Sequence, residues 1–112
     1  MALAAKAHVA DIGPKGLLTH ESSDGTETQK RCARHGANEE YNGENMAFGD
    51  DTALDALLSL FIDDGVPDRG HRTNIFCPNY DVCGVFNGPH KEYQTMTCVD
   101  YGGGDQRPKP AI

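Results

Sequence analysis

The chain has 112 residues, 38% of them apolar and 24% charged, which bounds a single globular domain with a modest core rather than a disordered chain. Ten Lys and Arg against 17 Asp and Glu leave a net charge of −7, so binding to nucleic acid through its phosphates is disfavoured. No segment is long and apolar enough to cross a bilayer, and the first residues lack the charged region and apolar core of a signal peptide.

Residues 2–12 are rich in Ala, and Leu3, Ala7, Ala10 and Ile12 can share a face; they predict a helix that Gly13 and Pro14 end. Residues 17–25 predict a polar loop. A second helix is expected from a cap at Asp24 or Thr26 to about His35, with Gly36 as its stop. Glu44–Gly49 predicts a short strand. Asp50, Asp51 or Thr52 caps a helix over about 52–63, where Leu54, Leu57, Leu58, Phe61 and Ile62 recur at helical spacing. Residues 68–80 predict a compact loop. Two strands, 81–87 and 92–101, are expected to join through a turn at Gly88–Lys91. The Gly- and Pro-rich end predicts a flexible arm at 104–112, leaving 1–103 as the domain.

Cys32, Cys77, Cys83 and Cys98 are even in number and form no Cys-x-x-Cys pair. In a small acidic chain this predicts two disulfides and an oxidising compartment. A turn centred between His90 and Lys91 sets Cys83 opposite Cys98, and a local Cys77–Cys83 bridge is also open; four cysteines allow three pairings, and the choice stays open.

Three segments are dense in polar groups and hold His20, Glu44 and His71. Two imidazoles and a carboxylate are one donor set for catalytic zinc, and the same groups can serve general acid–base chemistry. Their spacing alone does not separate either from a chance trio of surface residues. Ser22 and Ser23 read as turn chemistry, His8 as packing or surface, His90 as solvated, and Arg72 as the partner of a nearby carboxylate.

The segments "LTHESSDG", "GENMAFG", "DDGVPDRGHRTNIF" and "CGVFNGPH…YQTMTCVDYGG" resemble the CAP superfamily, the SCP domain of cysteine-rich secretory, antigen 5 and pathogenesis-related 1 proteins. The likeness covers about residues 3–103 and lies nearest the compact bacterial and protist branch. It implies an α+β fold, an α-β-α sandwich with a small antiparallel sheet between helical layers. It also implies a cleft with two His and two acidic residues: His20, Glu44 and His71 match three of them. Asp63, with Asp64 beside it, stands at the fourth, where the family carries an acidic residue after a Trp that this chain lacks. The first family helix has no counterpart, which leaves one face of the sheet less covered and reads either as an N-terminal truncation relative to the family or as a layer that a separate chain supplies.

The resemblance implies a secreted binding or interaction module whose cleft holds zinc or another divalent metal through His20 and His71, with Glu44 as a further ligand. Lipid, sterol or an extracellular protein are the partners it suggests. Two alternatives stand beside it: a hydrolase in which Glu44 activates water, and a structural subunit of an extracellular assembly, formed by self-association or with a companion chain. An enzyme is the less favoured reading.

Overall fold

The computed structural model describes residues 1–103, so the arm expected at 104–112 lies outside the described residues. The elements, in chain order, are α1 (Ala2–Ile12), α2 (Thr28–Arg34), β1 (Asn42–Phe48), α3 (Ala53–Ile62), α4 (Gly70–Ile75), β2 (Tyr80–His90) and β3 (Gln94–Gly103). The three strands form an antiparallel sheet in the order β1-β3-β2, which makes β1 and β2 the edges. Alternation along β3 sorts the two layers. Met96 and Cys98 pack with Ala5, Val9 and Ile12 of α1, joined by Met46, Phe48 and Phe86. Val99 and Tyr101 face the other way, onto Leu60 of α3, with Ala47, Ile75 and Tyr80. The expected α+β sandwich is therefore present.

Close approach of α1 to the sheet depends on two glycines of β2. A Cβ at Gly84 would collide with the backbone of Ala2, and one at Gly88 would come within 2.7 Å of Val9 Cγ1. The helix buries Ala4, Ala5, His8, Val9 and Ile12, whereas Leu3 is exposed, so the face differs from the expected one. Of the three caps open for α3, Thr52 is used: its hydroxyl accepts the Asp55 N–H at 3.1 Å. α2 starts at Glu27 without a side-chain cap, while Asp24 turns back to accept the Thr26 N–H at 2.9 Å. The expected loop at 68–80 holds the six-residue α4, which buries no side chain completely and is too short to show a period.

Three expectations are corrected. The apolar stripe of α3 lies outward: Leu54, Leu57, Leu58, Phe61 and Ile62 are exposed, and Ala56 and Leu60 are the residues the helix buries. His90 is 3% exposed rather than solvated. Its Nε2 bonds the Leu17 carbonyl at 2.9 Å and its Nδ1 accepts the N–H groups of Glu92 and Tyr93, which pins the hairpin to the segment after α1. The hairpin itself pairs His90 with Gln94, so the turn falls at 91–93 and Gly88, Pro89 and His90 are strand. Pro89 is tolerated because β2 is an edge.

That register decides the cysteines. Cys83 pairs with Tyr101 and Cys98 with Phe86, so a Cys83–Cys98 bridge, one of the possible pairings, does not form, and the two expected disulfides are absent. Cys32, Cys77, Cys83 and Cys98 are all free thiols, with Cys32 and Cys98 buried and Cys83 exposed.

Candidate functional site

Four segments converge at the free edge of β1. The strand supplies Glu44, the stretch after α1 supplies His20, the end of α3 supplies Asp63 and the first turn of α4 supplies His71. They form two carboxylate–imidazole pairs. His20 Nδ1 lies 2.9 Å from Glu44 Oε1, and His71 Nδ1 lies 3.0 Å from Asp63 Oδ1. Of the two neighbouring carboxylates, Asp63 and not Asp64 is the one paired with His71. Asp63 closes α3 in the left-handed region, φ 52, and its second oxygen accepts the backbone N–H groups of His71 and Arg72 at 2.9 and 3.3 Å. The start of α4 comes to the carboxylate, so the shorter Asp reaches.

Arg72 does not bond a carboxylate through its side chain. Its Nε and Nη2 donate to the carbonyls of Phe61 and Ile62 at 2.6 and 2.8 Å, satisfying the last turn of α3. Asn45 fixes the other side of α4: its Nδ2 donates to the His71 carbonyl at 3.0 Å and to Tyr101 Oη at 3.1 Å. Asn74 Nδ2 in turn donates to Asn45 Oδ1 at 2.9 Å.

His20 and His71 line one cleft of about 550 Å³, together with Glu44, Asn45 and Asp68. A second cavity of about 480 Å³ shares His20, Glu44 and Asn74 with it and extends toward Glu21, Glu27 and Tyr80. The two make an open trough over the β1 edge.

Behind Glu44 sits a buried network that sequence reasoning missed. Arg31 Nη2 donates to Glu44 Oε2 at 2.6 Å, and its Nη1 to Asp100 Oδ2 at 3.2 Å. Cys98 Sγ lies 3.2 Å from Glu44 Oε2. His8 Nε2 bonds the Thr19 carbonyl at 2.8 Å and stands 3.8 Å from Glu44 Oε1. Glu44 and Asp100 are direct partners across β1 and β3. One signal was present in the sequence: Asp100 continues the alternation of Met96 and Cys98, a carboxylate at an inward strand position.

Burial opposes every charge in this network. It would raise Glu44, yet hydrogen bonds from His20 and Asp100 and the charge of Arg31 hold that carboxyl well below its ordinary value. Burial and the neighbouring Glu44 push Asp100 well up, against Arg31. The pair therefore keeps one proton, on Asp100, beside one guanidinium. Burial lowers His8 and raises the Cys98 thiol, so both stay neutral. At the second pair burial again opposes ionisation, but the His71 and Arg72 bonds hold Asp63 low.

Among the described residues, Glu44, Cys98 and Asp100 are the metal-ligating trio that comes within 4.8 Å. They do not fit a cation, because Arg31 already bonds both carboxylates and the thiol keeps its proton. The trio expected from the sequence, His20, Glu44 and His71, does not meet within that distance among the described residues, although each imidazole is oriented by a carboxylate. Each Nδ1 is committed to a carboxylate, which leaves Nε2 of His20 and of His71 as the free ligand atom, an arrangement common at metal-binding His.

The family model described as the cysteine-rich secretory protein family, CAP, matches residues 1–101. None of the curated proteins matches the chain in sequence. Two solved structures are similar. An extracellular protein containing a SCP domain, from Bacillus anthracis strain Ames, superposes with a TM-score of 0.72 at 19% identity, over 92% of this chain and 31% of that one. An outer surface protein of Borrelia burgdorferi superposes with a TM-score of 0.68 at 16% identity, over 90% of this chain and 71% of that one. The chain thus spans about a third of the length of the Bacillus protein, and at these identities the likeness carries the fold alone.

Proposed function

The chain belongs to the CAP, or cysteine-rich secretory protein, family, and from that premise we propose that it is an extracellular binding module whose cleft takes a divalent cation, zinc being the best match, between His20 and His71. One observation carries this reading: the two carboxylate–imidazole pairs at 2.9 and 3.0 Å, whose imidazoles His20 and His71 line one cleft together with Glu44, while Asp63 lies buried behind His71. Glu44 and Asp63 orient the rings; the remaining positions on the ion belong to water or to the ligand. Both oxygens of Glu44 are already engaged and its side chain is 1% exposed, which favours binding over hydrolysis by a water-activating Glu44. The extracellular setting draws support from the two structural relatives, one described as extracellular and the other as an outer surface protein.

Calorimetric titration of zinc into metal-free protein tests it. One-to-one binding is expected, lost in His20→Ala and in His71→Ala, and weakening as pH falls through the imidazole range. No binding by the wild type, or binding that survives both substitutions, sinks the proposal.

A second reading has its own support. Leu54, Leu57, Leu58, Phe61, Ile62, Phe76 and Val85 are exposed along and beside α3, a run of large apolar side chains of the kind that marks an interaction surface. On this reading the domain is one subunit of an extracellular assembly, and a partner chain covers that face.

A further inference from the structure

We propose that the trough over β1 binds an extended, basic peptide segment that adds to the free edge of the strand. This rests on the reading of the cleft as a binding site and names its partner. The geometry begins with the edge. Gly49 N–H donates to the Thr95 carbonyl at 2.9 Å and Gly103 N–H to the Tyr41 carbonyl at 2.8 Å. The odd-numbered residues of β1 therefore bond to β3, and the even-numbered ones turn their backbone groups outward. Two of those, Asn42 and Glu44, lie in the trough.

Among the described residues, their carbonyls are held by side chains alone, and at long range. Tyr80 Oη donates to the Asn42 carbonyl at 3.3 Å, and Asn74 Nδ2 to the Glu44 carbonyl at 3.5 Å. These are weak bonds that the N–H groups of an added strand would replace with better ones. The Glu44 N–H, turned to the same side, is the matching donor. The trough has the right form for an extended chain, since its two cavities adjoin along the strand.

Charge selects the occupant. Among the described residues, the exposed ionised side chains that line the trough are Glu21, Glu27 and Asp68, and no Lys or Arg lines it. Glu21 and Glu27 stand at one end and Asp68 at the other. An incoming lysine or arginine side chain finds a carboxylate at either end, and an acidic segment is repelled.

The probe is an acetylated, amidated hexapeptide of alternating lysine and valine. Its controls are the same peptide with glutamate for lysine, and one with the backbone amides of a single edge methylated. Amide hydrogen exchange and nitrogen–proton shift titration locate binding, and fluorescence anisotropy measures it. The lysine peptide is expected to slow exchange at the Glu44 amide and to bind at least about tenfold more tightly than the glutamate peptide. Methylation of the pairing edge should cost a similar factor. Glu27→Lys, a change at an exposed side chain, should weaken the lysine peptide and strengthen the glutamate peptide.

No binding of the lysine peptide overturns the proposal. So does equal binding of the glutamate or methylated peptides, or shifts confined to residues outside the trough. Zinc binding without peptide binding removes this inference alone. Peptide binding without zinc removes the metal reading alone.

Discussion

Asp100 shows how much one side chain sets in this fold. It is fully buried, faces Glu44 across the sheet and shares Arg31 with it. Burial and Glu44 raise it from 3.8 to about 9, so the folded chain keeps a proton that the unfolded chain releases. Its contribution is therefore whole below the unfolded value and is lost progressively as pH rises through about 9. Glu44 runs the other way: held at about 2, its contribution is present above its ordinary value and lost only in strong acid. Asp100→Asn keeps the shape and the donor toward Glu44 while removing the titration. It is expected to raise stability at pH 8 by on the order of 2 kcal/mol and to flatten the decline between pH 5 and 9. Urea midpoints at the two pH values read this out; a variant less stable than wild type at pH 8, with the slope kept, would show that Asp100 is ionised in the fold.

At the scale of elements, each site residue depends on a contact that its own helix or strand does not make. His71 is held because α4 begins where α3 ends, with Asp63 and Arg72 bonding across the joint. His20 is held because Arg31 of α2 takes its carbonyl at 3.3 Å while also holding Glu44. α1 underlies the His20–Glu44 side, through His8 beside Glu44 and the Ala4 carbonyl that Arg31 bonds, and its seat is the pair of glycines in β2. Gly84→Ala places a methyl against the Ala2 backbone, so α1 must lift or the strand must bend. The expected cost is about 1–3 kcal/mol by denaturant unfolding, with weaker zinc binding through the displaced His8 and Arg31 layer. An unchanged midpoint would mean that α1 does not dock as described.

The whole molecule combines a net charge of −7 with an apolar face on α3. The charge keeps molecules apart, while the apolar face draws them together, so assembly should depend on salt as well as on concentration. If the face is an interface, sedimentation velocity will show mass rising with concentration, more steeply at high salt, and Leu57→Glu will return the chain to monomer. A wild type that stays monomeric up to about millimolar concentration removes self-assembly from the reading.

Local chemistry in the chain determined most of the scaffold: the Ala-rich α1, the Thr52-capped α3, the Gly36 stop and the pair of β-runs at the end. The motifs around His20, Glu44 and His71 carried the family, and these three residues line one cavity, whereas Asp63 is buried behind His71. Each of these signals needs only neighbours in sequence, whether a cap, a period or a turn residue. Tertiary structure decided the rest. Which side of α3 is buried depends on where β3 lies, so the apolar stripe could not reveal that Ala56 and Leu60 face the core. The hairpin register depends on how His90 is pinned to Leu17, and it separated Cys83 from Cys98. Arg31, Asp100 and His8 belong to the site only because strands far apart in sequence pair Glu44 with Asp100 and leave two carboxylates buried together. Low dielectric then requires a proton and a guanidinium beside them, a demand that exists only once the chain has folded.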